Sequence, residues 1–133
     1  MTLNDLRTYL RSMSVLEGYS ITLGVLDGDK LHQIALYPRR NDNAGRRCVG
    51  GSDCTTYDTF PVDILIHGNT QPMETFTTAE GLCGQLRWLE PTRMGDASVI
   101  CVSGCNSAIP CGKDRRGVYE YVIHASIMYL RGE

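Results

Sequence analysis

The chain reads as an α+β domain: a mainly antiparallel or mixed β-sheet of about four to five strands flanked by two α-helices. Three stretches carry that expectation. Residues 60–89 run from a strand through a tight turn into a helix, residues 118–130 form one long alternating strand, and residues 2–16 form a capped amphipathic helix. The order that results is helix, strand, strand, strand, helix, strand, strand.

In the first stretch Val62, Ile64 and Ile66 alternate with Asp63, Leu65 and His67, the two-residue period of a strand with one face buried. Gly68-Asn69 interrupts it. Pro72 suits the first turn of a helix, where its missing N–H is not needed. From there Thr75, Ala79, Leu82, Leu86 and Leu89 recur on one helical face, and Pro91 stops the run. On the opposite side of this helix, predicted over 73–89, lie Thr77, Gly81 and Gly84. Interior glycines cost about 1 kcal/mol each relative to alanine. They signal either a loosely constrained surface or the close approach of another backbone, from this chain or from a neighbouring copy.

Thr2-Leu-Asn-Asp5 is a capping box, and Leu3, Leu6, Leu10, Met13 and Leu16 supply the stripe of the first helix, with Gly18 as its expected stop. Ile21, Leu23 and Val25 alternate as a short strand. Asp27-Gly28 then predicts a hairpin turn, returning through a strand over 31–37 that Pro38 ends. Ala97 to Ser103 is a buried strand. In the closing segment Tyr119, Tyr121, Ile123, Ala125, Ile127 and Tyr129 share a face, against Glu120, Val122, His124, Ser126 and Met128. At roughly 3.3 Å per residue this element spans about 40 Å, longer than most strands. It is expected either to bend at a bulge or to leave the core and meet a partner.

Two segments lack periodicity and are expected to be long loops, 38–60 and 103–117. The first is rich in glycine and carries Arg39, Arg40, Arg46 and Arg47; the second carries Lys113, Arg115 and Arg116. A solvated loop, a surface for an acidic partner and, well behind these, contact with a nucleic-acid backbone are the readings of such charge runs.

The 133 residues, 42% hydrophobic and 21% charged, are those of one folded domain, and a net charge of -2 gives no general argument for binding to nucleic acid or anionic membranes. No apolar run approaches a membrane span, and the start lacks the layout of a signal peptide, so folding in a cytoplasm is expected. The six cysteines are then expected as thiols. Five residues lie between Cys48 and Cys54, as between Cys105 and Cys111; a four-thiolate zinc site or two local disulfides would use them. That spacing is wider than structural zinc pairs favour, so metal is not expected. Cys83 and Cys101 fall on core faces. His32, His67 and His124 sit one on each of three predicted strands, with no second ligand at metal spacing. No nucleophile motif, phosphate loop or cofactor motif is present, and the expectation is a protein that is not an enzyme and has no cofactor. A small ligand-binding or enzyme domain using Asp63 and His67 is the alternative.

Three blocks carry a resemblance: Gln33-Ile-Ala-Leu-Tyr-Pro-Arg39, Pro61-Val-Asp-Ile-Leu-Ile-His-Gly-Asn69 with the following Glu74-Thr, and Gly112-Lys-Asp-Arg-Arg-Gly-Val-Tyr-Glu-Tyr-Val-Ile123. Over roughly 15–130 the chain resembles the tail terminator proteins of long-tailed bacteriophages, in the minor-capsid-type group. The loop at 38–60 departs from the group in its extra glycines, arginines and two cysteines. The resemblance implies a homohexameric ring on the head-proximal end of the tail tube, at the tail–neck junction of the virion, assembled in a bacterial cytoplasm. Its implied partners are its own copies, the tail tube protein and the head–tail connector or stopper, with DNA passing the lumen without sequence-specific binding. A related neck protein, a head-closure stopper or tail-completion factor, is the nearest alternative. On this reading Arg39, Arg40, Arg46, Arg47, Lys113, Arg115 and Arg116 are candidates for the partner surface. Gly81, Gly84, Tyr119 and Tyr129 are candidates for contacts between subunits.

Overall fold

The computed structural model describes residues 1–26, 30–39 and 57–130. Two helices and a seven-stranded mixed sheet form an α+β domain, with more strands than the sequence predicts. Helix α1 (Leu3–Arg11) and a 3₁₀ turn (Ser14–Leu16) lead into β1 (Ser20–Leu23) and β2 (Gln33–Pro38). The long β3 (Tyr57–His67) precedes α2 (Pro72–Arg87); β4 (Thr92–Met94), β5 (Ala97–Ser103), β6 (Ile109–Lys113) and β7 (Tyr119–Leu130) follow. The sheet order is β1-β2-β3-β7-β5-β4, and β6 also pairs with β7.

The capping box forms as read: Thr2 Oγ1 accepts from Asp5 N, and Asp5 Oδ2 accepts from Thr2 N. The helix nevertheless ends at Arg11, short of Gly18. Ser12 Oγ donates to the carbonyl of Tyr9, a local bond that competes with the helical ladder, and the stripe continues through the 3₁₀ turn to bury Leu16. In α2 the stripe buries Thr75, Ala79, Leu82, Cys83 and Leu86. Ala79, Leu82, Cys83 and Leu86 meet Ile34, Leu36, Val62, Ile64, Ile66, Ile123 and Ile127 of the sheet, with Leu6 and Leu10 of α1, in one core cluster. Burying a side chain of this size contributes roughly 1.5–3 kcal/mol, so the shared face dominates the stability of the domain.

Several expectations are corrected. The first two strands are not a hairpin: β1 and β2 run parallel, Ser20 opposite Gln33 and Leu23 opposite Leu36. The Asp27-Gly28 turn expected between them lies outside the described residues. Nine residues separate the two strands and easily retrace the roughly 13 Å of β1 that a parallel return requires. Next, β7 neither bends at a bulge nor leaves the core. All of β3 pairs with it, from Tyr57 opposite Leu130 to His67 opposite Glu120. Its other edge is shared by β5, opposite 126–129, and β6, opposite 119–122. The irregularities fall in those shorter partners, at Val99/Cys101 and Pro110/Gly112.

The segment 103–117 is not one loop but a detour, 104–108, followed by β6. The fourth correction is β4, which the sequence reading lacks. Its signal is Gly95-Asp96, a two-residue connection between Met94 and Ala97 with Gly95 at φ +62. The expected loop at 38–60 gives up 57–60 to β3; of the rest only Pro38 and Arg39 are described.

The junction of β3 and α2 depends on close approach. A Cβ added at Gly68 would stand 2.6 Å from Thr75 Cγ2 and nearer still to its hydroxyl. That buried hydroxyl accepts from Asn69 N at 3.2 Å and lies 3.2 Å from Asn69 Oδ1. Gly68→Ala is therefore expected to cost roughly 1–3 kcal/mol by overpacking. In a urea-unfolding cycle, G68A/T75A should cost less than the sum of the two single changes. Strict additivity would show that the two residues do not collide.

Candidate functional site

The β3–β7 register brings together groups that are remote in the chain. On the sheet face away from the buried isoleucines, Asp63 stands opposite His124, and His124 Nδ1 lies 2.6 Å from Asp63 Oδ1. Arg39, at the end of β2, reaches the same cluster. Its Nη1 donates to Asp63 Oδ1 at 3.4 Å, and its Nη2 donates to Ser126 Oγ at 2.9 Å and to the Ala125 carbonyl at 3.4 Å. The side chains of Arg39, Asp63 and His124 remain 31%, 28% and 43% exposed, so the cluster lies at a solvent-accessible surface.

The chemistry of this arrangement is orienting. A carboxylate only accepts hydrogen bonds, so a neutral His124 carries its proton on Nδ1 and presents Nε2 as an acceptor. Ser126 Oγ is engaged by Arg39. The cluster ties three neighbouring strands, β2, β3 and β7, through side chains as well as main chain.

Further along the same face, His67 stands opposite Glu120. It is 1% exposed; Nδ1 lies 3.1 Å from Glu120 Oε2, and Nε2 lies 3.8 Å from Asp114 Oδ2. Asp114 closes the turn into β7 by accepting from Val118 N at 3.0 Å and Arg116 N at 2.8 Å. The hydrogen bond from Val118 is the main cause holding its carboxyl below the usual range, and that from Arg116 and the charges of His67 and Arg116 add to it. Asp63 and His67, paired in the alternative enzyme reading, lie four residues apart along β3, and each takes a different cross-strand partner. His32, expected on a strand, instead occupies the turn before β2 at φ 55, where its ring meets Tyr19 edge-on at 5.2 Å.

Among the described residues, the basic candidates do not converge. Arg39 is held in the cluster, whereas Lys113, Arg115 and Arg116 are exposed around the turn before β7. Along β7 this turn lies about 20 Å from the position of Ser126. Arg40, Arg46, Arg47, Cys48 and Cys54 lie outside the described residues.

Of the residues proposed for subunit contact, Gly81 is explained within the chain, since an added Cβ would meet Val15 Cγ2 at 2.9 Å. Gly84 has nothing within 4 Å of such a Cβ. Tyr129 packs half-buried against the core from one end of β7, and Tyr119 sits at the other, its N–H donating to the Asn69 carbonyl at 3.0 Å. Cys105 does not meet Cys111: it is buried against Cys83, and Cys111 is exposed on β6.

His124 as the partner of Asp63 and Glu120 as the partner of His67 are what the sequence reading missed. A signal was available: one antiparallel register aligns both histidines with carboxylates at once. No protein-family model matches the chain, and a comparison with curated proteins finds no match.

Two outcomes are expected. A double-mutant cycle of Asp63→Ala and His124→Ala should give a coupling of roughly 0.5–1 kcal/mol, small because both groups are partly solvated; zero coupling would remove the pair from the structural account. Asp114, with its carboxyl depressed in the folded state, stabilises the fold above the ordinary carboxylate range, and that contribution is lost as pH falls below about 4. Asp114→Asn should accordingly flatten the acid side of the stability profile, and an unchanged slope would contradict this.

Proposed function

We propose that this protein is a structural component of a phage tail, a terminator whose ring caps the head-proximal end of the tail tube. The observation that carries the reading is spatial. The three blocks that resemble tail terminators contribute β2, β3 and the β6–β7 turn with the first half of β7, and β2, β3 and β7 are successive strands of the sheet. Their ends interlock: His32 N donates to the Gly68 carbonyl at 2.9 Å, Gly68 N to the Tyr119 carbonyl at 3.1 Å, and Tyr119 N to the Asn69 carbonyl at 3.0 Å. Patterns separated by dozens of residues thus build one rigid unit.

The outer face of α2 supports the part of the reading that concerns self-association. Met73, Thr77, Gly84 and Trp88 fall on one side of the helix, and Met73 and Trp88 are 70% and 78% exposed. Large exposed apolar side chains beside a glycine offer a neighbouring copy anchors and room for close approach. A ring closes head to tail, each subunit offering two different patches. The basic turn Lys113–Arg116, with Arg40, Arg46 and Arg47, is proposed for the connector side, where charge favours one partner over another tube ring.

Particles made without this protein should show heads without tails and tubes of uncontrolled length in electron micrographs. Tails of normal length on filled heads would end the terminator reading. Within it, Gly84→Trp should abolish rings while leaving the circular dichroism unchanged. Gly81→Trp is not an equivalent test, because it would strike Val15 of its own chain.

A further inference from the structure

The detour 104–108 leaves the edge of β7 between β5 and β6 and turns into the core beneath α2, burying Cys105 and Ala108. Three residues of α2 hold it. Glu80 Oε1 accepts from Ala108 N at 3.2 Å, Arg87 Nε donates to the Cys105 carbonyl at 3.0 Å, and Arg87 Nη2 donates to the Asn106 carbonyl. The third is Cys83, fully buried, whose Sγ lies 3.1 Å from Cys105 Sγ. Each thiol also faces the other residue's carbonyl, Cys83 Sγ at 3.5 Å from Cys105 O and Cys105 Sγ at 3.4 Å from Cys83 O. The other described cysteines are placed differently: Cys101 is half-buried beside Met128, and Cys111 is exposed.

We propose that Cys83 and Cys105 are a redox-responsive pair that a peroxide closes into a disulfide, fastening the detour to α2. A disulfide needs its sulfurs about 2.05 Å apart, so closure asks for a movement of about 1 Å. The polar contacts from Glu80 and Arg87 already fix both chain segments, and little conformational freedom remains to be lost. The step balances with hydrogen peroxide as oxidant. One thiolate attacks a peroxide oxygen, giving a sulfenic acid and releasing hydroxide, which takes up the thiol proton as water. The second sulfur then attacks the sulfenic sulfur and its hydroxyl leaves with the remaining proton as a second water; two thiols and one peroxide become one disulfide and two waters.

Rate, not geometry, keeps the pair open. Burial, then the hydrogen bond and charge of Cys83, push the Cys105 thiol up to about 12, and the thiolate is the nucleophile. Attack by Cys105 is consequently slow near neutrality and accelerates as pH rises. The inference does not depend on the tail-terminator reading.

The test treats the full chain with hydrogen peroxide at pH 7 and pH 9 and maps cross-links by mass spectrometry without reduction. Expected are a mass loss of two hydrogens, a Cys83–Cys105 link forming faster at pH 9, and a melting temperature raised on the order of 10 °C, reversed by dithiothreitol. Cys83→Ala and Cys105→Ala should each abolish the link and the gain. Oxidation of both residues to sulfinic acids without a link, a link to other cysteines instead, or intact thiols in folded protein at pH 9 would each overturn the proposal. The wild-type mapping decides even if a variant fails to fold.

Discussion

The antiparallel register of β3 on β7 is the constraint from which the rest of the structure follows. Eleven residues of β3 are matched along β7 without a break, so each strand presents its buried side chains in phase with the other's. A slip of one residue would turn Val62, Ile64 and Ile66 to the opposite face from Ile123, Ala125 and Ile127 and dissolve the core. The same slip would separate Asp63 from His124 and His67 from Glu120. Apolar packing on one face and paired polar side chains on the other thus select one alignment, which is a consistency between levels that favours a unique fold.

Around that axis the chain is economical on one side and irregular on the other. The β2 edge of β3 is met by a regular antiparallel partner, whereas the far edge of β7 is covered by two short strands in tandem. Between them five residues of detour oppose three residues of β7. The surplus is taken inward to α2, and this is how two cysteines from distant parts of the sequence come into contact.

The sequence made the two helices, β3, β5 and β7 legible because each has a period long enough to be distinctive and most have an end signal: Thr2 with Asp5, Pro72, Gly68. It did not reveal β4, whose three residues show no period, nor β6, whose residues are all exposed and include Pro110 and Gly112. The parallel direction of β2 was hidden for another reason. A strand's alternation is the same in either direction, and Asp27-Gly28 suggested the commoner hairpin. The polar cluster was half visible, as separate residues; its pairing is a property of register, which single strands do not encode. At Gly81 the expectation is divided between a loose surface and the approach of another backbone, and what lies there is a side chain, Val15, that no local pattern could name.

The lengths of the strands also bear on how copies of this protein can meet. Among the described residues the longest rows of main-chain donors and acceptors, those of β3 and β7, are interior to the sheet. The strands left at its margins are β1 with four residues, β4 with three and β6 with five, the last broken by a proline and a bulge. Such margins are poor templates for extending the sheet into a neighbouring molecule, which guards a crowded protein against fibrous aggregation. Among the described residues, any contact with another copy would fall to side chains, which can be altered one at a time without rebuilding the core.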